Sequence, residues 1–318
     1  MNDVARVAGC HASTVSLALR EDPRIPAATR ERVVAAAAKL GYRVHPMISA
    51  WVSARRAGRP VERRVAAAYF TCHPGDFRWK ADDHFRSIYE GARERAEHYG
   101  FSLEEFRIDD YARDLARLSQ VLNTRNVQGL IVGPTLAHHE LQGIDWTRFS
   151  LVTIGYGLAQ PALHRVTEDH HLGMKLAFES ALAQGYRRIG LALVRQHNEM
   201  RRERWIGAYL YEQNRNLAPG EQLPIYIASS ASPIVEAGGW LKKSKPDIVL
   251  ADDPSAWRAS AVPTLGFALS AAHNYSGVHE NNRGIGGRAA DLLVSLVMCN
   301  ERGIPARRQT VLVEPSLY

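Results

Sequence analysis

Cysteine is scarce in this 318-residue chain. Cys10, Cys72 and Cys299 lie far apart and are odd in number, which excludes a disulfide framework or a zinc motif and fits small apolar residues in a reducing compartment. No stretch approaches the ~18 apolar residues of a membrane span, and the first residues lack the apolar core of a secretory signal, so the expected location is cytoplasmic, with no membrane partner. No glycine-rich nucleotide loop follows the first apolar strand and no nucleophile elbow is present, which removes two common signatures of α/β enzymes. Repeats and low-complexity tracts are absent too. What remains is ordinary globular composition, 46% hydrophobic and 23% charged, on a chain longer than one typical domain.

Acidic residues are also sparse in one place. Residues 1–64 hold twelve lysines and arginines against five acids, whereas residues 65–318 hold twenty-eight of each, so the whole net charge of +7 sits on the first fifth. Affinity for DNA comes largely from neutralising phosphates and releasing their counterions, and a basic module ahead of a neutral body is the footprint that requires.

That basic segment opens MNDVARVAGCHASTVSLALR, two short amphipathic helices around Gly9. Val4, Ala5 and Ala8 share one helix face, and Val15, Leu17, Ala18 and Leu19 supply apolar positions in the next. Gly9 is the residue that can take a positive φ and send the second helix away at a steep angle, the geometry of a helix-turn-helix. Ser13, Thr14 and Ser16 then face outward, where short hydroxyls suit phosphate oxygens and base edges. A third helix, Ala27 to Leu40, carries Val33, Val34, Ala37 and Leu40 and ends at Gly41. The segment HPMISAWVSARRAGRPVERR follows, with Pro46 able to open a short helix and Gly58 and Pro60 ending it. From Val65 short apolar runs (VAAAYF, GLIV, SLVTIG, RIGLALV, LPIYIA, PDIVLA, VPTLGF) alternate with helices, including one near 83–99, one between GLIV and SLVTIG, and others near 171–184 and 201–214. This alternation predicts an α/β body of parallel sheets.

The pieces DVARVAG, STVSLAL, TRERVVAAAAKLGY and IGGRAADLLVSLV resemble the lactose-repressor (LacI/GalR) family of transcription regulators, over nearly the whole chain. The resemblance implies an all-α three-helix DNA-binding headpiece at 1–44, a hinge helix and linker at 45–63, and a two-lobed periplasmic-binding-protein-like body at 64–318. The first lobe is expected at about 64–160 plus 280–305, and the second at about 161–279 plus 306–318. It further implies a homodimer on a near-palindromic double-stranded operator, with seams around 89–96 and 289–296, and a small polar effector, a carbohydrate or derivative first, between the lobes. The family's usual threonine or serine ahead of the first helix is replaced by Asn2 and Asp3 directly after Met1, so the natural start is expected upstream.

Carried over by position, Ala12 and Ser13 read bases with His11 beside them, Thr14, Ser16 and Thr29 hold phosphates, and Leu17 stands where an arginine is common, which removes a bidentate grip on guanine. Trp51 matches the leucine that wedges into the minor groove, with Met47 and Ile48 a turn earlier; packing at the dimer seam or on the body is its other role. In the body Arg204 matches a ligand-holding arginine, or else is a surface helix arginine. Asp169 matches a ligand-facing or interlobe acid, Asp252 and Asp253 fall on a family Asn-Asp pair so that the usual amide is missing, and each acid could instead cap a helix. Ala268 replaces an aspartate that accepts ligand hydroxyls. Cys72, His73, Phe77, Trp79, Tyr156 and Tyr275 fall near strand mouths as stacking or packing groups. The adjacent pairs His138–His139 and His170–His171 face opposite sides of an element, so neither metal nor cofactor is implied. The reading is a regulator, a repressor first, and not an enzyme. The alternatives are an effector-independent DNA-binding regulator, supported by Ala268, and a cytosolic α/β enzyme.

Overall fold

The computed structural model describes residues 2–19, 22, 24–40, 65–73, 77–111, 114–136, 139–229, 236–270 and 275–317. The expected hinge and linker at 45–63, with Met47, Ile48 and Trp51, lie outside the described residues, as do His138 and the side chains of Ser16 and His139.

The headpiece is three helices, α1 (Asn2–Ala8), α2 (Ala12–Ala18) and α3 (Ala27–Lys39). Val4, Ala5, Ala8, Val15, Ala18, Val33, Ala36 and Ala37 form its core. Gly9 has a φ of +60°, and a Cβ there would meet nothing within 4 Å, so conformation rather than space demands glycine. Two expectations shift: Val34 and Leu40 are 50% and 44% exposed, because Ala36, one step round α3, takes the inward position. Leu17 is half-buried and outside the core cluster, leaving Val15 and Ala18 to anchor α2.

The body has two six-stranded sheets. The first lobe is built from β1 (Val65–Thr71), α4 (Asp83–His98), β2 (Phe101–Arg107), α5 (Leu115–Thr124), β3 (Gly129–Val132), β4 (His139–Glu140), β5 (Ser150–Ile154), β6 (Leu158–Gln160) and β7 (His164–Glu168). The second uses α6 (His170–Ala183), β8 (Ile189–Val194), α7 (Arg195–Met200), α8 (Arg204–Asn216), β9 (Tyr226–Ala228), α9 (Gly238–Ser244), β10 (Ile248–Ala251), β11 (Thr264–Leu269) and β12 (Gly277–His279). The chain then returns through α10 (Asn282–Met298) and β13 (Thr310–Val313) to the first lobe and ends on β14 (Ser316–Leu317). The sheet orders are β13-β7-β5-β3-β1-β2 and β14-β12-β11-β10-β8-β9, with β4 and β6 pairing apart. Every pairing in the two large sheets is parallel except β12 with β14. Residues of β3 and β10 are buried throughout, as strands covered on both faces require.

These pairings move the expected lobe boundaries. Residues 164–168 and 310–313, assigned by sequence to the second lobe, complete the first lobe's sheet, since β7 hydrogen-bonds to β5 and β13 to β7. Among the described residues no α-helix joins GLIV to SLVTIG; β4 and a 3-10 turn at Trp146–Arg148 lie there, and the helix of this unit, α5, precedes GLIV.

The chain therefore crosses between lobes at 168–170, at 279–282 and at 313–316. At the first two a helix begins at once, and each is capped by an Asx side chain: Asp169 accepts from Leu172 N and Asn281 from Gly284 N. Helices α4 and α10 pack so closely that Cβ atoms at Gly91 and Gly286 would sit 2.0 Å from Arg283 O and 1.9 Å from Ile88 O. Their apolar sides, with Ile88, Ala92, Ala289 and Leu293, enter the first lobe's own core, each large side chain contributing about 1.5–3 kcal/mol. Of the expected seams, Gly91, Ala92 and Ala96 in 89–96 and Ala289, Ala290, Leu293, Val294 and Leu296 in 289–296 are buried in this way. Their outer surface is a lattice of ion pairs, Arg283 with Glu90 and Glu94 and Arg95 with Asp291.

Candidate effector cavity and DNA-facing helix

A cavity of about 400 Å³ opens between the lobes at the C-terminal ends of both sheets, the usual ligand position in parallel α/β folds. Of the nine effector residues expected from sequence, it brings three together: Tyr156, Asp252 and Ala268. Asp252 is held by Val194 N and Asp253 N and pairs with His197 Nδ1 at 2.9 Å, so its carboxylate is fixed and accepting. Asp253 caps the 3-10 turn Pro254–Trp257.

The other six lie elsewhere. Cys72 is in the core beneath β1, where burial pushes its thiol up to about 12. His73 packs edge-on against Phe77 and Phe85, which do line the cavity, and so supports its wall from behind. Trp79 is buried toward β2, its Nε1 donating to Glu105 Oε1 at 3.1 Å. Asp169 is the α6 cap, Arg204 stacks on the Tyr156 ring, and Tyr275 contacts Arg258. Burial took Cys72, and a local partner took each of the other five side chains that positional matching had pointed at a ligand.

The polar floor of the cavity comes from residues that sequence reading passed over. Glu168 ends β7 and Glu280 follows β12, so two acids occupy the first two lobe crossings, and they share a hydrogen bond. Burial, reinforced by the charge of Glu280, holds the Glu168 carboxyl well above the ordinary range, so it keeps its proton. Glu280 is ionised: although burial opposes this, His84, whose Nδ1 lies 2.9 Å from Oε2, and Arg201 at 3.7 Å from Oε1 hold its value well below the ordinary range. His170 Nδ1 stands 3.1 Å from Glu168 Oε2, and burial, with the nearby Arg201 charge, drives its value down to about 3, leaving a neutral ring. Arg201 also stacks on Trp205 at 4.3 Å. Gln196 Nε2 donates to Leu136 O at 2.7 Å and joins the second lobe to the first across the cavity. A signal existed in the sequence: in VTED and GVHEN an acid stands directly before an Asx residue that can cap a helix.

In the headpiece, His11 is the N-cap of α2, its Nδ1 accepting from Ser13 N at 3.3 Å and lying 2.9 Å from Ser13 Oγ. His11 and Ser13 are exposed, while Ala12, Thr14, Leu17 and Thr29 are half-buried. The cap therefore orients the first turn of the outward helix, with Ser13 presented on it.

Residues 1–44 match the family described as "Bacterial regulatory proteins, lacI family". The whole chain superposes on the transcriptional regulator CelR in its cellobiose complex, at 19% identity and a TM-score of 0.56, covering 100% of this chain and 97% of that one. The headpiece is thus similar to that of the lacI family, and the chain as a whole shares the fold of these solved regulators. The chain is similar also to the lac repressor dimer bound to operator and the anti-inducer ONPF, at 19% identity and a TM-score of 0.55, covering 99% and 96%. For the transcription regulator CcpA of Lactococcus lactis the values are 13% and 0.55, covering 80% and 98%. No curated protein sequence matches the chain.

Proposed function

We propose that this chain is a sequence-specific DNA-binding transcriptional repressor, acting as a homodimer on a near-palindromic operator and tuned by a small polar ligand held between its lobes, rather than an enzyme. The observation that carries the reading is the pairing of a basic lacI-family headpiece with an interlobe cavity at the mouths of two parallel sheets. Matched solved structures of this fold carry cellobiose in one case and operator DNA with ONPF in another. The cavity offers fixed acceptors in Asp252 and Glu280, donors in Arg201, His84 and Gln196, and the aromatic rings of Phe85, Tyr156 and Trp205. Donors, acceptors and apolar faces in near balance suit a neutral, many-hydroxyl ring such as a carbohydrate. Although Ala268 supplies no acceptor, Asp252 and Glu280 do, which favours effector control over an effector-independent regulator.

A ligand that contacts both lobes shifts the DNA-competent population by its differential affinity for the two lobe arrangements. The test measures operator affinity of the full chain by fluorescence anisotropy against salt, with and without a panel of sugars and sugar acids. A steep salt slope and a sugar-dependent shift that Asp252→Asn abolishes are expected. Absence of specific DNA binding overturns the regulator reading, and silence across the panel with DNA binding intact overturns effector control.

A further inference from the structure

Tyr156 forms one wall of the cavity, and cations crowd its ring. Arg204 Cζ lies 4.3 Å from the ring centroid, Arg165 Cζ 4.5 Å and Arg202 Cζ 6.0 Å. Arg308 belongs to the same group, because after burial its charge is the largest influence on Arg165. Arg165 on β7 and Arg308 just ahead of β13 are neighbours across a strand pair, with Arg165 N donating to Gln309 O at 2.9 Å, and both belong to the first lobe. Arg202 and Arg204 come from the second lobe, Arg204 opening α8 and Arg202 on the turn before it, where Arg202 and Glu203 take left-handed φ values of 53° and 57°.

The group lacks a counter-charge. Among the described residues none of these four guanidiniums makes an ion pair or a side-chain hydrogen bond, although Arg95, Arg188, Arg283 and Arg302 each make several. Arg165 is 2% exposed, and its Nε donor is buried with no acceptor. Burial and the charges of Arg308, Arg202 and Arg204 pull its value down to about 10, which records the cost of holding four like charges together. Stacking on the Tyr156 ring offsets only part of that cost. It does nothing for Arg308, which makes no ring contact among the described residues. An unpaired buried donor beneath three exposed guanidiniums is the arrangement that an oxyanion completes.

We propose that Arg165, Arg202, Arg204 and Arg308 form a binding site for the oxyanion of a small molecule, a phosphate or carboxylate group, beside Tyr156 and apart from the residues that line the cavity. Guanidiniums present paired N–H donors that match such groups in geometry as well as charge. Arg165 and Arg308 bind from the first lobe while Arg202 and Arg204 close from the second, so the anion favours the lobe arrangement in which all four converge. The site is thereby linked to the cavity through a shared wall and a shared lobe equilibrium. It stands independently of which ligand fills the cavity.

The experiment uses the full chain, with calorimetry and thermal melting in sodium phosphate, sodium succinate and sodium chloride at matched ionic strength, then with a hexose 6-phosphate and its parent hexose. Phosphate or succinate should bind once per chain and raise the melting temperature above the chloride control; whichever is tighter assigns the anion. Arg165→Gln should weaken it by about tenfold or more, the loss of charge-assisted bonds. The exposed Arg308→Gln and Arg202→Gln, which do not disturb a buried site, should weaken it several-fold, while Lys242→Gln at an exposed position of α9 should leave it unchanged. A hexose 6-phosphate that binds more tightly than both the hexose and phosphate supports one ligand spanning cavity and cluster. Equal behaviour in phosphate, succinate and chloride, or undiminished anion binding by Arg165→Gln and Arg308→Gln, overturns the site. If the hexose binds while no anion does, this proposal fails and the cavity reading survives.

Discussion

Replacing Glu168 and His170 by glutamine, one at a time, should tilt the pH dependence of stability in opposite directions. In the folded protein the two groups are 3% and 6% exposed and together carry one proton, on Glu168, because burial raises the carboxyl and lowers the imidazole. In the unfolded chain they titrate near their ordinary values, 4.5 and 6.5. His170 has a depressed folded value, so its contribution is present above 6.5 and is lost as pH falls toward about 3. Glu168 has a raised folded value, so its contribution is complete below 4.5 and is lost as pH rises through that raised value. Between 6.5 and 4.5 the unfolded chain gains a proton on the histidine, but it lacks the one the folded chain keeps on the glutamate. The two contributions therefore oppose each other in the wild type. Glu168→Gln removes one side of the balance, so stability falls as pH falls from 6.5 toward 4.5, by up to about 2–3 kcal/mol. His170→Gln removes the other, so stability rises as pH falls toward 4.5. Urea midpoints followed by tryptophan emission from pH 4.5 to 7.5, taken as differences from wild type to cancel all other groups, read both slopes. Parallel curves for the three proteins, or two variants tilting the same way, would refute the protonation states assigned here.

Gly91→Ala and Gly286→Ala each drive a methyl into a backbone carbonyl across the α4–α10 contact, at 2.0 and 1.9 Å, and should lower stability by more than about 2 kcal/mol in urea denaturation. His11→Ala should lower headpiece stability by about 1 kcal/mol and His11→Asn, which keeps a cap acceptor, by far less; equal losses in headpiece melting would show that the Nδ1 contact to Ser13 N is incidental. Ser13→Ala should change the preference among operator bases, whereas Thr29→Ala should weaken all duplexes alike; equal losses on cognate and scrambled DNA for Ser13→Ala would remove it from base reading.

The headpiece was legible because its signals are local. The spacing of Val4, Ala5, Ala8, Val15 and Ala18 and the single residue able to take positive φ, Gly9, lie within twenty residues. The misplacements there, Val34 and Leu40, came from choosing the wrong edge of a helix stripe whose central residues are alanines, where apolar periodicity is weak. Alternating apolar runs likewise announced the parallel sheets, since strands buried on both faces need continuous apolar sequence. The short or polar strands β2, β7, β12 and β13 carry no such run and went unseen, and with β7 and β13 went the true lobe boundaries.

The cavity was only partly readable, for a different reason. Positional matching to a family names a place in the chain, but a side chain goes to its nearest partner: Asp169 to a helix terminus, Trp79 to Glu105, Arg204 to a tyrosine ring. Glu168 and Glu280 are 112 positions apart, and Arg165 and Arg308 are 143 apart, so neither pair leaves a trace in any local window. By itself the sequence determined the properties that reside in neighbouring residues: the basic three-helix headpiece, the turn at Gly9 and the α/β character of the body. Only the tertiary structure decided which distant charges meet. Chain crossings between two sheets bring strand ends from separate parts of the sequence to one seam, and burial there sets which acid keeps its proton and which arginine is left without a partner.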